Sequence, residues 1–243
     1  MLRCVSTPVR AVAFACLAGL FTFSTTTSSN AQGYSGPVWT GIYAGLHGSY
    51  VWADQEFPDF DPYPAGPPRM DLSGAFLGGQ IGAQYHFKGA FVVGVEADYS
   101  RGNLSQTVRD GNFITQTGEL DWTATLRGRV GLPFGSWMPY VTAGYMWAGA
   151  SYNETCPDGA THWCGTAKKY SLTDSKTHGG LVYGGGVEWM ISSNFSVKAE
   201  GLWFNLSEET YQLGTAPISK ITLGPKPIEY DGVMFRIGGN YRF

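Results

Sequence analysis

From Val233 to Phe243 the sequence alternates with period two. The odd positions are Val233, Phe235, Ile237, Gly239, Tyr241 and Phe243; the even positions are Met234, Arg236, Gly238, Asn240 and Arg242. Period two is the signature of a strand whose two faces meet different surroundings. Apolar residues make up 43% of the 243-residue chain, but charged residues only 14%, against about 25% in ordinary soluble domains. Past the N-terminus, no apolar run is long enough to cross a bilayer as a helix. The composition is membrane-like, so strands are the expected spanning elements.

The same alternation recurs upstream. In 39–52, Ile42, Ala44, Leu46, Tyr50 and Trp52 oppose Gly41, Tyr43, Gly45, His47 and Ser49. In 74–87, Ala75, Leu77, Ile81, Ala83, Tyr85 and Phe87 oppose Gly, Gln and His. In 91–100, Phe91, Val93, Val95, Ala97 and Tyr99 oppose Gly94, Glu96, Asp98 and Ser100. In 120–132, Leu120, Trp122, Ala124, Leu126, Val130 and Leu132 oppose Asp121, Thr123, Thr125, Arg127 and Arg129. Val141, Ala143, Tyr145 and Trp147 follow, then Leu181, Tyr183, Val187 and Trp189, then Phe195, Val197, Ala199 and Trp203, each set opposed by small, polar or ionic residues. With the closing segment this makes eight strands, each near the ten residues that a tilted membrane strand needs.

The connections alternate in length. Short turns at 88–90, 134–136 and 192–194 follow the even-numbered strands; longer stretches, 53–71, 101–118, 152–176 and 207–230, follow the odd ones. An up-and-down meander then gathers the long loops at one end, as in outer-membrane barrels. A soluble ligand-holding barrel would turn the apolar register inward and need an outer face rich in Lys and Glu. Here the other register is mostly Gly, Ser, Thr and Gln with a few charges of both signs. It suits a cramped polar lumen in which Glu96, Asp98, Arg127, Arg129, Glu188, Lys198, Glu200 and Arg236 form an ion-pair network, with Glu96 beside Arg127, because a buried charge needs a partner. The apolar register, with Trp39, Trp52, Tyr85, Phe91, Trp122, Trp147, Trp189, Trp203 and Tyr241 towards strand ends, is expected to meet lipid and headgroups. The expected fold is all-β: a closed eight-stranded antiparallel up-and-down transmembrane β-barrel.

The first residues read as an address. Arg3 and Arg10 precede an apolar run from Ala11 to Phe23, and Ser29-Asn30-Ala31 fits a cleavage site. The expected organisation is a cleaved secretory signal peptide over 1–31, a short periplasmic segment over 32–38 and the barrel over 39–243. Removing the leader leaves 14 basic against 19 acidic residues, net −5, which argues against nucleic acid as a partner. Cys156 and Cys164 remain and are expected to form a local disulfide in an exported protein. The alternative, a metal site with His162, lacks a fourth ligand at familiar spacing.

Several stretches carry a resemblance: W-T-G-I-Y-A-G-L-H-G-S-Y-V-W at 39–52, F-V-V-G-V-E-A-D-Y-S at 91–100, L-R-G-R-V-G-L-P at 126–133, P-Y-V-T-A-G-Y at 139–145 and the closing Y-R-F. In order and spacing they resemble the Omp25/Omp31-type outer-membrane proteins of alphaproteobacteria, relatives of OmpA-like and opacity-type barrels. The resemblance implies residence in the outer membrane of a Gram-negative bacterium. It implies contact with outer-membrane lipid and lipopolysaccharide, and handling by periplasmic chaperones and the barrel-assembly machinery. It also implies that Tyr241 and Phe243 act as the assembly signal.

No P-loop, H-E-x-x-H or G-x-S-x-G motif is present. Gly184-Gly185-Gly186 reads as room for interior side chains. Ser171, Asp174 and His178 fall near one rim without the spacing of a triad, so no catalytic residue, cofactor or metal is assigned. An eight-stranded barrel has a lumen just wide enough for side chains. The expected function is a structural, surface-exposed barrel contributing to envelope integrity, with host or surface ligands as candidate contacts of its external loops. The Pro- and aromatic-rich stretch 53–71 reads as a stiff cap or an adhesive element. The alternatives are a small-solute or haem-related uptake porin and a lipid A-modifying enzyme.

Overall fold

The structure is a computed structural model that describes residues 39–56, 69–87, 90–110, 114–156, 170–215 and 222–243. The expected leader over 1–31, the segment 32–38, most of the Pro-rich stretch, His162 and Cys164 lie outside the described residues. The long strands are β1 (Gly41–Glu56), β2 (Arg69–His86), β3 (Val92–Asp110), β4 (Ile114–Gly131), β5 (Trp137–Cys156), β6 (Tyr170–Met190) and β7 (Phe195–Tyr211). A small hairpin of β8 (Gly214–Thr215) and β9 (Thr222–Leu223) precedes β10 (Lys226–Arg242).

β1 to β7 and β10 close into an antiparallel barrel in which every strand pairs with its sequence neighbours and β10 returns to β1. The closing ladder runs from Tyr43↔Arg242 to Glu56↔Glu229. It leaves no strand edge in the hydrocarbon zone, where unpaired backbone groups would have no water to bond. The turn at Gly135, with φ of 60°, is held by Phe134 and Trp137 exchanging backbone hydrogen bonds of 2.7 and 3.1 Å.

The strands are longer than the alternation in the sequence suggested, at 16 to 21 residues, about twice what a membrane strand needs. In the stretches 101–118, 152–176 and 207–230, expected as loops, the described residues are mainly strand: β3 continues to Asp110 and β4 starts at Ile114, β5 continues to Cys156, and β6 starts at Tyr170.

Along these strands the polarity of the two faces inverts. In the half nearer the short turns, apolar residues point outwards, with Leu77 75% and Ile81 58% exposed, while Gln80, Glu96, Arg127 and Lys198 are buried inside. In the far half the inward residues are mostly apolar: Met70 and Leu72 on β2, Leu104 on β3, Ala150 and Tyr152 on β5, Leu206 on β7, and Ile228 and Tyr230 on β10, with Gln55, Glu154 and His178 as buried polar exceptions. Asp71, Ser105 and Thr107 face out there. Aromatic pairs mark the crossover: Tyr50–Trp52, Tyr99–Trp122, Tyr145–Trp147 and Tyr183–Trp203, with ring centroids 4.6 to 6.4 Å apart. A second belt, Tyr85–Phe87–Phe91, Trp137–Trp189 and Tyr241–Phe243, lies at the short-turn end. Two such belts bound the hydrocarbon of a membrane barrel. Beyond the outer belt the outside is water, so the apolar set moves inward.

The ladders are not equally long. Among the described residues the β2/β3 ladder ends at Phe76↔Gly102 and the β6/β7 ladder at Gly180↔Leu206, while the other six reach the outer strand ends. Outside the membrane the barrel thus divides into two four-stranded sheets, β2-β1-β10-β7 and β3-β4-β5-β6. The apolar cluster draws on both, as in the core of a β-sandwich.

Three expected positions are corrected. Alternation puts Leu120 towards lipid and Asp121 inside; in the structure Leu120 is 1% exposed and Asp121 points out. The register shifts between Leu120 and Trp122 and, on β3, between Arg101 and Leu104, and an extra residue flips every side chain beyond it. Trp39, expected in the lipid-facing set, is fully buried with Val92, Met138 and Met190 at the short-turn end. Its ring lies 5.1 Å from the Arg242 guanidinium.

The inversion gives a position-dependent expectation. Ile81→Arg places a charge in hydrocarbon and is expected to cost about 2–4 kcal/mol. Ser105→Arg, on the same outer surface but above the belt, is expected to stay within about 0.5 kcal/mol. Guanidinium unfolding in lipid vesicles measures both.

Candidate functional site

The lumen at membrane level is built by inward residues of five strands. β3 supplies Glu96 and Asp98, β4 Arg127 and Arg129, β6 Glu188, β7 Lys198 and Glu200, and β10 Arg236 and Arg242; all are buried. Alternation puts i and i+2 on one face, and register brings Glu96 opposite Arg127 and Glu200 opposite Arg236.

The side chains interlock. Glu96 Oε1 accepts from Arg127 Nη2 and from Lys198 Nζ, each at 2.7 Å, and Glu96 Oε2 accepts from the Tyr43 hydroxyl at 2.8 Å. Asp98 receives Arg236 through two nitrogens at 3.0 and 3.1 Å, Arg127 at 3.1 Å, and a short hydrogen bond from Thr125. Glu200 accepts from the Tyr140 hydroxyl at 2.7 Å and pairs with Arg127 and Arg236 at 3.3 Å and Lys198 at 3.5 Å. Glu188 accepts from Arg129 and from Ser196, each at 2.6 Å, and meets Arg242 at 3.5 Å.

The structure thus brings all eight of the proposed network residues together. It adds Arg242, which the sequence had placed on the polar face without a partner. It also adds Tyr43, Thr125, Tyr140 and Ser196, whose hydroxyls gave no charge signal. Arg129 lies 4.0 Å from the Tyr140 ring centre. Each carboxylate touches at least two cations, the arrangement that offsets the desolvation of buried charge. The glycine triplet serves as expected at Gly186, where a Cβ would meet Glu200 Cβ at 2.8 Å and the Tyr140 hydroxyl at 2.9 Å. Between this network and the apolar half of the lumen lies a neutral layer. There His47 bonds Ser100 at 2.8 Å and Gln80 at 3.0 Å.

The rim residues considered for catalysis do not converge. Ser171 is on the outer wall, within hydrogen-bond reach of Asn153 and Thr155. His178 is fully buried, accepts from the Tyr211 hydroxyl at 2.8 Å and donates to the Ser207 carbonyl at 3.0 Å. Asp174 accepts the Gln212 amide at 2.8 Å. The last two therefore tie β6 to the chain of β7 where the ladder between them has ended. At the outer rim, acids stand in cross-strand rows: Asp231–Asp54–Asp71 and Glu229–Glu56. Partial burial, and then Glu56, Asp231 and Glu208, push the Glu229 carboxyl above its usual value. Cys156 is buried at the end of β5, while its expected partner Cys164 lies outside the described residues. Tyr241 and Phe243 face outwards at the end of the closing strand.

The family model "outer membrane protein beta-barrel domain" matches residues 14–243. The chain belongs to that family. It is 24% identical over 215 residues to the 31 kDa outer-membrane immunogenic protein of Brucella melitensis, covering 84% of each. It is 26% identical over 183 residues to the 22 kDa outer membrane protein of Rhizobium leguminosarum, covering 75% of this chain and 71% of that one. These relatives agree with the Omp25/Omp31-type resemblance and with an outer-membrane location. Among solved structures it is similar to OprG of Pseudomonas aeruginosa, with 13% identity, 86% and 98% coverage and a TM-score of 0.48. It is also similar to Ail of Yersinia pestis, with 12% identity, 84% and 99% coverage and a TM-score of 0.40.

For this outer-membrane barrel the ionic layer is the vulnerable part of the interior. Arg127→Met leaves Glu96, Asp98 and Glu200 each short of a cation and is expected to cost about 3–5 kcal/mol. Unfolding in vesicles measures it.

Proposed function

We propose that this barrel is a non-catalytic, non-conducting element of the outer membrane. It supports envelope integrity and holds a rigid protein surface outside the lipid for contact with host or environmental structures. The observation that carries this reading is the filled lumen. A residue pore needs a continuous wet path, and here five cations and four carboxylates interlock below an apolar sandwich core. An eight-stranded barrel has no width to spare beyond its own side chains. The reading also draws support from the outer half, where eight strands continue past the aromatic belt as two packed sheets. Those sheets would hold the connecting segments well clear of the headgroups. The Brucella relative is named an immunogenic protein, which fits a chain whose outer segments are accessible. The separation of Ser171 from His178 and Asp174 favours a structural role over lipid A chemistry.

Planar-bilayer recording tests it. Wild-type protein is expected to give no steady open level. The double variant Arg127→Ala with Glu200→Ala, which empties the middle of the ionic layer, is expected to give small, flickering currents. A stable open level from the wild type would favour the uptake reading instead.

A further inference from the structure

On the outer wall, directly above the outer aromatic belt, β4, β5 and β6 line an open surface pocket of about 220 Å³. Its outward-facing lining is Asp121, Trp122, Gly149, Ser151, Ser175 and Thr177, and Lys176 also borders it. It exists because of the register shift described above. Without it, alternation would send Asp121 into the lumen. With the extra residue, Asp121 turns outwards beside Trp122, and bulges commonly re-aim side chains in this way. Trp122 pairs across the ladder with Gly149, and Gly149 with Thr177. The indole lies flat against Gly149, where an added Cβ would come within 2.0 Å of Trp122 Nε1. Its ring stacks on Tyr99, whose hydroxyl accepts from Arg101 Nε at 3.0 Å. Ser151 and Ser175 sit side by side with their hydroxyl oxygens 2.9 Å apart.

We propose that this pocket binds a saccharide ring, supplied by the headgroup of an outer-leaflet glycolipid. The chemistry on its walls selects that class. A carboxylate can accept from two neighbouring sugar hydroxyls, and the serine and threonine hydroxyls both donate and accept. The aromatic Trp122 offers an apolar surface with a polar edge. A bare phosphate fits less well, because Asp121 would repel it and Lys176 already lies 3.9 Å from Asp174. The volume is below the roughly 300–1,000 Å³ of sites for drug-sized ligands and of a size with one ring. Position selects the source. Trp147 of the outer belt is two residues below Gly149 on β5, so the pocket opens where headgroups begin. The inference needs only the outer-membrane location, not the sealed-lumen function, and conductance recordings read the latter separately.

The test uses the full barrel in nanodiscs with rough-type lipopolysaccharide as the probe and native mass spectrometry as the readout. The variants are Asp121→Asn, which removes the acceptor charge on an exposed side chain, and Gly149→Ala, which displaces the indole. The wild type is expected to bind one lipopolysaccharide saturably, and each variant to weaken binding at least tenfold with unchanged heat-modifiable gel migration. The control Ser171→Ala is expected to bind as wild type. A second arm adds the delipidated core oligosaccharide as competitor. Competition means that the sugar suffices from any source; no competition, with the variant effects intact, means that it is held as part of the lipid. Equal binding by the wild type and both variants, or no saturable binding, would overturn the proposal.

Discussion

Every feature of this molecule follows from one requirement: a backbone amide or carbonyl in hydrocarbon must find its partner within the protein. A sheet meets that requirement only by closing, and β10 does so by pairing with β1 from Tyr43↔Arg242 to Glu56↔Glu229. Closure by eight strands fixes a narrow cylinder. That cylinder in turn dictates an interior of glycines, hydroxyls and matched charges, since only residues that satisfy one another fit there. The ladders are unbroken on all strands where lipid lies outside. Two of them lapse only beyond the outer aromatic belt, where water can serve the freed groups.

The belt is therefore a physical boundary that the chain registers in its side chains. On β5, Val141, Tyr145 and Trp147 face lipid while Thr142 is turned in. Further along the same strand Ala150 and Tyr152 are turned in, and Ser151 and Asn153 lie towards solvent. The strand remains one ladder throughout; only the solvent changes. Bulges sit close to the changeover, at Arg101/Leu104, Leu120/Trp122 and Ile228/Tyr230. They add local bending and twist where a round barrel becomes two facing sheets. His178 and Asp174 bind across one of the resulting seams, which accounts for a buried histidine that no catalytic arrangement explains.

Much of this was legible in the sequence because period-two alternation survives wherever the two solvents differ. The strand count, the lipid-facing register from Ile42 to Phe243, the short turns and the eight charged residues of the lumen all come from that pattern. The outer halves of the strands were not legible. There Ser, Thr and Asn alternate with Ala, Leu and Tyr in weak contrast, and the stretch 101–118 reads as polar loop. Leu120 and Asp121 were assigned to the wrong faces because a bulge inserts one residue without altering the local alternation. Trp39 was misplaced because aromatic character alone does not separate a headgroup contact from a plug stacked near Arg242. Tyr43 and Tyr140 carry no charge to mark them as members of the ionic layer, although their inward positions follow from the register.

The central claim is that one unbroken strand exchanges its apolar face for its polar face on crossing the aromatic belt. Nitroxide scanning of β5 in lipid vesicles, one cysteine at a time from Val141 to Thr155, tests it most directly. Outward positions 141, 143, 145 and 147 should collide with oxygen, outward positions 151, 153 and 155 with a water-soluble nickel chelate, and inward positions with neither. A single collision partner for the odd positions along the entire strand, or lipid access at Thr142 and Tyr152, would contradict the account.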